Sequence, residues 1–196
     1  MKAAPRRRFS GYGSGYKAMK ILAIADIDDF HWNYGPGQAD VLLSCGDVSD
    51  QVILEAADAY NCRVLFAVKG NHDTPERFAK SIVDLHLQTS EYAGFRFGGL
   101  NGSWKYKPRG HYLYEQGEVE NFLLAFPAVD VFLSHNSPRG IHDKEDGVHY
   151  GFDGLNAYLA KAKPKLLIHG HQHVERETVV DETRVLCVYG YKIIEV

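Results

Sequence analysis

Glycine, asparagine, histidine and aspartate stand in a row at Gly70, Asn71, His72 and Asp73, one lysine after the apolar run at residues 64–68. An amide, an imidazole and a carboxylate leaving an apolar segment together could ligate a cation or move a proton. One tetrapeptide does not choose between these roles, but the chain supplies partners. Asp26 and Asp28 follow the apolar run at 20–25, and Gly46, Asp47 and Asp50 follow the run at 39–45. His135 follows the run at 129–133, and His171 and His173 follow the run at 164–168. Carboxylate oxygens, an amide oxygen and imidazole nitrogens form a mixed hard and borderline donor set, suited to Mn²⁺, Fe or Zn²⁺.

The elements that must position these groups are five short, β-branched, nearly continuous apolar runs, a pattern that predicts strands covered on both faces. Helical patterns lie at 50–60, 115–126 and 153–163, with Asp50 and Asp153 as expected N-caps. Residues 86–104 and 174–196 predict strands joined by turns. The expected architecture is therefore layered α/β, with every polar tip at a strand's C-terminal end, where ligand sites of open α/β sheets form. His171 and His173 are two apart, and an extended backbone would point both the same way.

In order, the tips D-I-D, G-D-V-S-D, G-N-H-D, S-H-N and G-H-Q-H resemble the signature of the calcineurin-like metallophosphoesterases, D-x-H, G-D-x-x-D, G-N-H-D/E, a lone His and G-H-x-H. The stretches "SHNSPRGIHD" and "FGGLNGSW" are similar to the small, cap-less, phosphodiesterase-like branch of that family. The resemblance spans residues 20–173 and implies a four-layer α-β-β-α sandwich of two mixed sheets flanked by helices. It assigns Asp26, Asp47 and His173 to a first metal. Asp47 would bridge to a second, which also takes Asn71, His135 and His171. It makes His72 the proton donor at the scissile phosphate, with Asp73 as its orienting partner. Two divalent ions sharing a carboxylate can hold a hydroxide and neutralise phosphoryl oxygens, so no nucleophilic side chain is required.

Asp28 stands where the family has histidine. As a carboxylate ligand it favours harder ions, so two Mn²⁺ are expected ahead of Fe or Zn²⁺. Asp50 is expected to support the site rather than ligate, and His169 to be structural. Trp104, Arg109 and Arg139 are candidates for holding the substrate, through stacking and phosphate contacts.

The 196 residues carry a net charge of −3. Lys2, Arg6, Arg7, Arg8 and Lys17 make the start basic, leaving 17 basic against 25 acidic residues beyond it. A basic, glycine-rich tail over 1–18 is expected to be disordered, ahead of one domain over 19–196. An acidic body predicts neither nucleic acid nor membrane as partner, and no apolar stretch nears the ~20 residues of a span. Three scattered cysteines, Cys45, Cys62 and Cys187, predict a reducing cytoplasm. The expected substrate is a small phosphoester, with nucleotides as candidates. Few assured arginines favour diesters over monoesters. A scaffold that keeps the fold without turnover is the competing expectation.

Overall fold

The computed structural model describes residues 18–196, so the tail expected to be disordered lies outside the described residues except for Ala18. The apolar runs form strands where expected. β1 (Lys20–Ala25) and β2 (Val41–Ser44) lead into α1 (Asp50–Ala59) and β3 (Val64–Ala67). A short β4 (Val83–Asp84) precedes β5 (Thr89–Tyr92) and β6 (Phe95–Leu100). The last two form a hairpin whose turn residues Ala93 and Gly94 have φ of 51° and 82°. Two positive φ values give a turn whose twist matches that of the strands. β7 (Ser103–Trp104) and β8 (Leu113–Tyr114) bracket a loop at 105–112 rich in basic and aromatic residues. Then follow α2 (Gln116–Leu124), β9 (Val131–Ser134), α3 (Asp153–Ala162) and β10 (Leu166–His169). The chain ends with β11 (Arg176–Val180), β12 (Thr183–Cys187) and β13 (Gly190–Glu195).

The helix caps differ from expectation by one residue. Ser49 caps α1, its side chain accepting from Val52 N, and Asp50 is the first helical residue. The Asp50 carboxylate instead accepts from Ala79 N at 2.6 Å, tying α1 to the loop after β3. Phe152 occupies the cap position of α3, with no side-chain hydrogen bond, and Asp153 is the first helical residue. Glu115 and Glu118 close a capping box on α2, satisfying backbone donors that the helix leaves free. Lys163, in the left-handed region, ends α3 immediately before Pro164, which cannot continue a helix.

Two mixed sheets result, in the orders β13-β1-β2-β3-β4 and β11-β12-β10-β9-β6-β5. The inner strands of each are parallel, with antiparallel β13 beside β1 and antiparallel pairs at both edges of the larger sheet. Alternation explains the unbroken apolar runs. Ile21, Ala23, Val41, Leu43 and Phe66 face the second sheet, meeting Phe97, Val131, Leu133 and Ile168. Their neighbours Leu22, Ile24, Leu42 and Leu65 pack under α1 with Val52, Ile53 and Ala56. On the far side Phe132, Leu167 and Val185 pack under α2 and α3 with Val119, Leu155 and Tyr158. The order is helix, sheet, sheet, helices, as the sandwich requires. Each fully buried side chain of this kind contributes about 1.5–3 kcal/mol, and that energy holds the strand ends in register. Among the described residues no helix is long and apolar enough to cross a membrane.

Candidate metal centre

The C-terminal ends of β1, β2 and β3 in one sheet and of β9 and β10 in the other meet at one edge of the sandwich. Three contacts lock the sheets together there. His135 Nδ1 lies 2.9 Å from the carbonyl of Cys45, the Cys45 thiol faces the carbonyl of Ile168, and His171 N donates to Asp26 Oδ2 at 2.8 Å. Asp26, Asp47, His171 and His173 all have positive φ, at 53°, 53°, 66° and 51°. Four non-glycine residues in the left-handed region cost of order 1–3 kcal/mol each, and such strain clusters at sites where side-chain aim matters. The left-handed kinks also correct the expectation of an extended His171–His173 pair: His171 is buried, whereas His173 is largely exposed.

Ligand atoms converge around His135. Cys45 O accepts the Nδ1 proton, leaving Nε2 directed at Asn71 Oδ1 (3.0 Å) and Asp47 Oδ2 (3.3 Å). A backbone carbonyl on one ring nitrogen sets the tautomer that offers the other as a ligand. Tyr106 plays the matching part for Asn71: its hydroxyl accepts from Asn71 Nδ2 at 3.1 Å and so keeps the amide oxygen inward. Burial alone would suppress charge on Asp47 and His135. Their mutual attraction outweighs it, holding the carboxyl well below its ordinary range and lifting the imidazole to about 9. A cation entering here must displace the His135 proton. Burial drives His171 well below its ordinary value, so that ring is neutral, as a ligand must be. Its Nε2 faces Val148 O, which leaves Nδ1 as the nitrogen free to ligate, and its ring centroid lies 4.9 Å from that of His135.

Asp26, Asp47 and His135 offer ligand atoms that all lie within 4.8 Å of one another. Asp26 Oδ1 is buried without a hydrogen-bond partner, 3.6 Å from His173 Nε2. A buried carboxylate oxygen left unpaired costs free energy unless something positive meets it. The residues present therefore fit divalent cations. Asp28 is exposed at the rim, lining a cleft of about 390 Å³ with Asp26, Tyr34, Tyr189 and Tyr191, outside the group that converges. The buried trio His142, His169 and Cys187 is a different case. His142 Nδ1 and His169 Nε2 share a hydrogen bond at 3.0 Å. The outer nitrogens meet Thr178 Oγ1 and Gly170 O. All four nitrogens are thus used, and burial drives His169 down to about 3. This neutral relay braces the turn before His171.

His72 is exposed beside a cleft of about 380 Å³, and its backbone N, not its ring, binds Asp47 Oδ1 at 2.8 Å. Asp73 does not orient that ring. Its Oδ2 accepts from Asp47 N (2.9 Å) and Gly70 N (2.7 Å), stapling the two ligand loops together. Arg139, a candidate phosphate contact, is paired instead with Asp143, with Glu145 and with the face of Tyr150 at 3.6 Å. Trp104 packs on Tyr150 and the helix-side core, and Arg109 is exposed on its loop. Three residues near the ligands escaped the sequence reasoning: Tyr106, His149, and Tyr189, which stacks on His173 at 5.3 Å. Only Tyr106 carried a signal, as part of the aromatic loop between Trp104 and Arg109.

The loops fit together only because Gly70 lacks a side chain. A Cβ there would strike Asp47 Oδ1 and lie 2.7 Å from Asp47 N. Gly70→Ala is expected to destabilise the protein by about 1–3 kcal/mol, the usual cost of overpacking, and to weaken divalent-cation binding at the same time. Thermal melts with and without Mn²⁺ measure both effects.

A family model described as calcineurin-like phosphoesterase matches residues 19–175. The search of curated protein sequences found no match. One solved crystal structure aligns over 91% of this chain and 95% of its own, at 18% identity and a TM-score of 0.68. TT1561 of Thermus thermophilus aligns over 89% and 90%, at 14% identity and 0.59. Phosphopantetheinyl hydrolase from Mycobacterium tuberculosis aligns over 87% and 89%, at 14% identity and 0.54. At these identities the structural likeness establishes the fold.

Proposed function

Since the chain belongs to the calcineurin-like phosphoesterase family, we propose that it is a metal-dependent hydrolase of phosphodiesters, with Asp26, Asp47, Asn71, His135, His171 and His173 holding two divalent cations. One observation carries this proposal: His135 Nε2 lies 3.0 Å from Asn71 Oδ1 and 3.3 Å from Asp47 Oδ2, within reach of a buried Asp26 oxygen without a partner. When bound, the cations would supply an activated water and offset charge on the phosphoryl oxygens. Asp47 faces both groups of ligands, which suits it to be shared. To His72, exposed beside the cleft, we assign the proton given to the departing alkoxide, a task a positioned imidazole can perform.

The preference for diesters rests on charge. A monoester dianion needs more positive charge around it than a diester does. Yet Arg139 is bound to two acids, and Lys69 is buried 3.9 Å from Asp50. A small diester, with nucleotides among the candidates, is the substrate this surface suits. Three free, buried cysteines support a reducing compartment such as the cytoplasm. Metal analysis of the purified protein, followed by Mn²⁺-supplemented turnover on model diesters, cyclic nucleotides and monoesters, tests the proposal. Bound metal with no turnover on any of them would leave a scaffold instead.

Mn²⁺ is proposed ahead of Fe or Zn²⁺ on the further reading that Asp28 turns in from the rim to join the six ligands, bringing a carboxylate where an imidazole would favour zinc. Asp28→His is expected to raise Zn²⁺ retention relative to Mn²⁺ by about tenfold, within the range that ligand-shell changes produce. An unchanged preference in competition dialysis would mean that Asp28 stays out at the rim.

A further inference from the structure

Beside the ligand set, the cleft that Asp26 lines is walled by aromatic rings. Tyr34, Tyr189 and Tyr191 line it together with Asp28 and Asp29, and its volume of about 390 Å³ is within the range of small-molecule sites. The rings are braced. Trp32 packs edge-on against Tyr34 and Tyr191, at 5.0 and 5.6 Å between centroids. Trp32 is itself tied down, its Nε1 donating to Gly35 O and its backbone N to Glu55 Oε2 on α1. Tyr34 also packs on Tyr191 at 5.0 Å, and a Cβ on Gly190 would lie 3.7 Å from its hydroxyl, so Tyr34 reaches across to the start of β13. Tyr189 stacks on His173 at 5.3 Å, with 26° between the planes. Yet Tyr34 and Tyr189 stay 39% and 50% exposed, so the bracing leaves ring surface open for a ligand.

We infer that this cleft receives the base of a nucleoside diester, and that the nucleoside is the group that keeps the phosphate. The inference rests on the phosphoesterase proposal and names a substrate class for the same site. Strand order decides which ester group goes where. In the smaller sheet β1 lies between β13 and β2. The aromatic cleft is formed by the loop after β1 and the residues entering β13, and the cleft of His72 by the loops after β2 and β3. Asp26 lines the first and Asp47 the second, so the two clefts flank the candidate metal centre. A diester brings two ester groups. The departing one takes its proton from His72 and so occupies the cleft of His72, which leaves the aromatic cleft to the group that stays on phosphorus. The oxygen of one water joins phosphorus, the P–O bond to the departing alcohol breaks with its electron pair on that oxygen, and His72, having protonated it, regains a proton from the water. A nucleobase suits the lining in two ways. Its flat face stacks on tyrosine, and its N–H groups and the ribose hydroxyls can donate to carboxylates. Asp29 remains at the rim even with Asp28 turned toward a cation. An acyl chain would set those carboxylates against hydrocarbon.

The test uses Mn²⁺-loaded wild type, Tyr34→Ala and Tyr34→Phe, because Tyr34 packs on Trp32 and Tyr191 and not on a candidate ligand. Calorimetry compares adenosine monophosphate with ribose 5-phosphate, which lacks the base. Kinetics compare the methyl diesters of the same two phosphates, which share methanol as leaving group. Melts and metal analysis check the fold and the ion count. Wild type is expected to bind adenosine monophosphate more tightly than ribose 5-phosphate, and to release methanol and adenosine monophosphate from the adenosine diester. Tyr34→Ala should weaken the binding of adenosine monophosphate about fivefold to a hundredfold, the worth of base–aromatic stacking by alanine substitution. KM for the adenosine diester should rise accordingly, with kcat, Mn²⁺ count and affinity for ribose 5-phosphate unchanged. Tyr34→Phe, which keeps the ring, should behave as wild type. Equal affinity for the two phosphates in wild type, an undiminished preference in Tyr34→Ala, or adenosine and methyl phosphate as products overturns this inference alone. A wild-type protein that binds no Mn²⁺ and turns over neither diester overturns the phosphoesterase proposal and this inference with it.

Discussion

Asp47→Asn is expected to fold and yet to bind no more than one divalent cation per chain, with kcat lower by about a thousandfold or more. Losing one preorganised charge-stabilising group at such a centre costs roughly 10²–10³, and here a shared ligand for a second ion is lost too. The amide keeps the volume of the carboxylate and an oxygen to accept from His72 N, so the loop geometry has no reason to collapse. What disappears is the negative charge between His135 and the opposite ligands. That charge now outweighs burial to keep both Asp47 and His135 ionised. Metal analysis, a thermal melt and turnover on one protein preparation distinguish loss of the ion from loss of the fold. A variant with two tightly bound ions and near-normal rate would show that Asp47 is not shared.

His72→Ala should divide substrates by their leaving group. Alkyl diesters, whose alkoxide cannot depart without a proton, are expected to lose about 10²–10⁴ in kcat, the usual worth of a positioned general acid. Nitrophenyl esters should lose less than about tenfold, since their anion leaves unaided. The ring of His72 is exposed and its backbone N provides the bond to Asp47, so removing the ring should change neither stability nor metal content. Equal losses on both substrate types would assign the ring another task, such as gripping the phosphate.

The strands and the position of each polar tip were legible because sheets covered on both faces impose unbroken apolar runs, and parallel strands place their exits on one edge. Ile21 and Leu22 illustrate the rule: adjacent in sequence and both buried, they serve different cores. The gathering of the candidate ligands was legible for a similar reason. Asp26, Asp47, Asn71, His135 and His171 each sit just beyond a strand end, so their meeting follows from topology. The caps were legible only to within one residue. Ser49 and Asp50 both have capping side chains, and the bond from Ala79 N, 29 residues away, decides which of them leaves the helix end.

By itself the sequence determined the apolar pattern, the order of the tips and the donor chemistry, because these depend on residue type and short-range spacing. Tertiary structure alone decided where the polar atoms spend their hydrogen bonds. Asp73 was drawn to the backbone of Asp47 and Gly70 instead of to His72, and Arg139 to Asp143 and Glu145 instead of to the site. His171 and His173 were turned into the left-handed region with His171 N on Asp26, a partner 145 residues distant. His149 was brought against the rings of His171 and His173 by contacts between its loop and residues 171–172. A hydrogen bond lasts only within about 3 Å and a favourable angle, and residues far apart in the chain reach that distance only once the core has set the backbone around them.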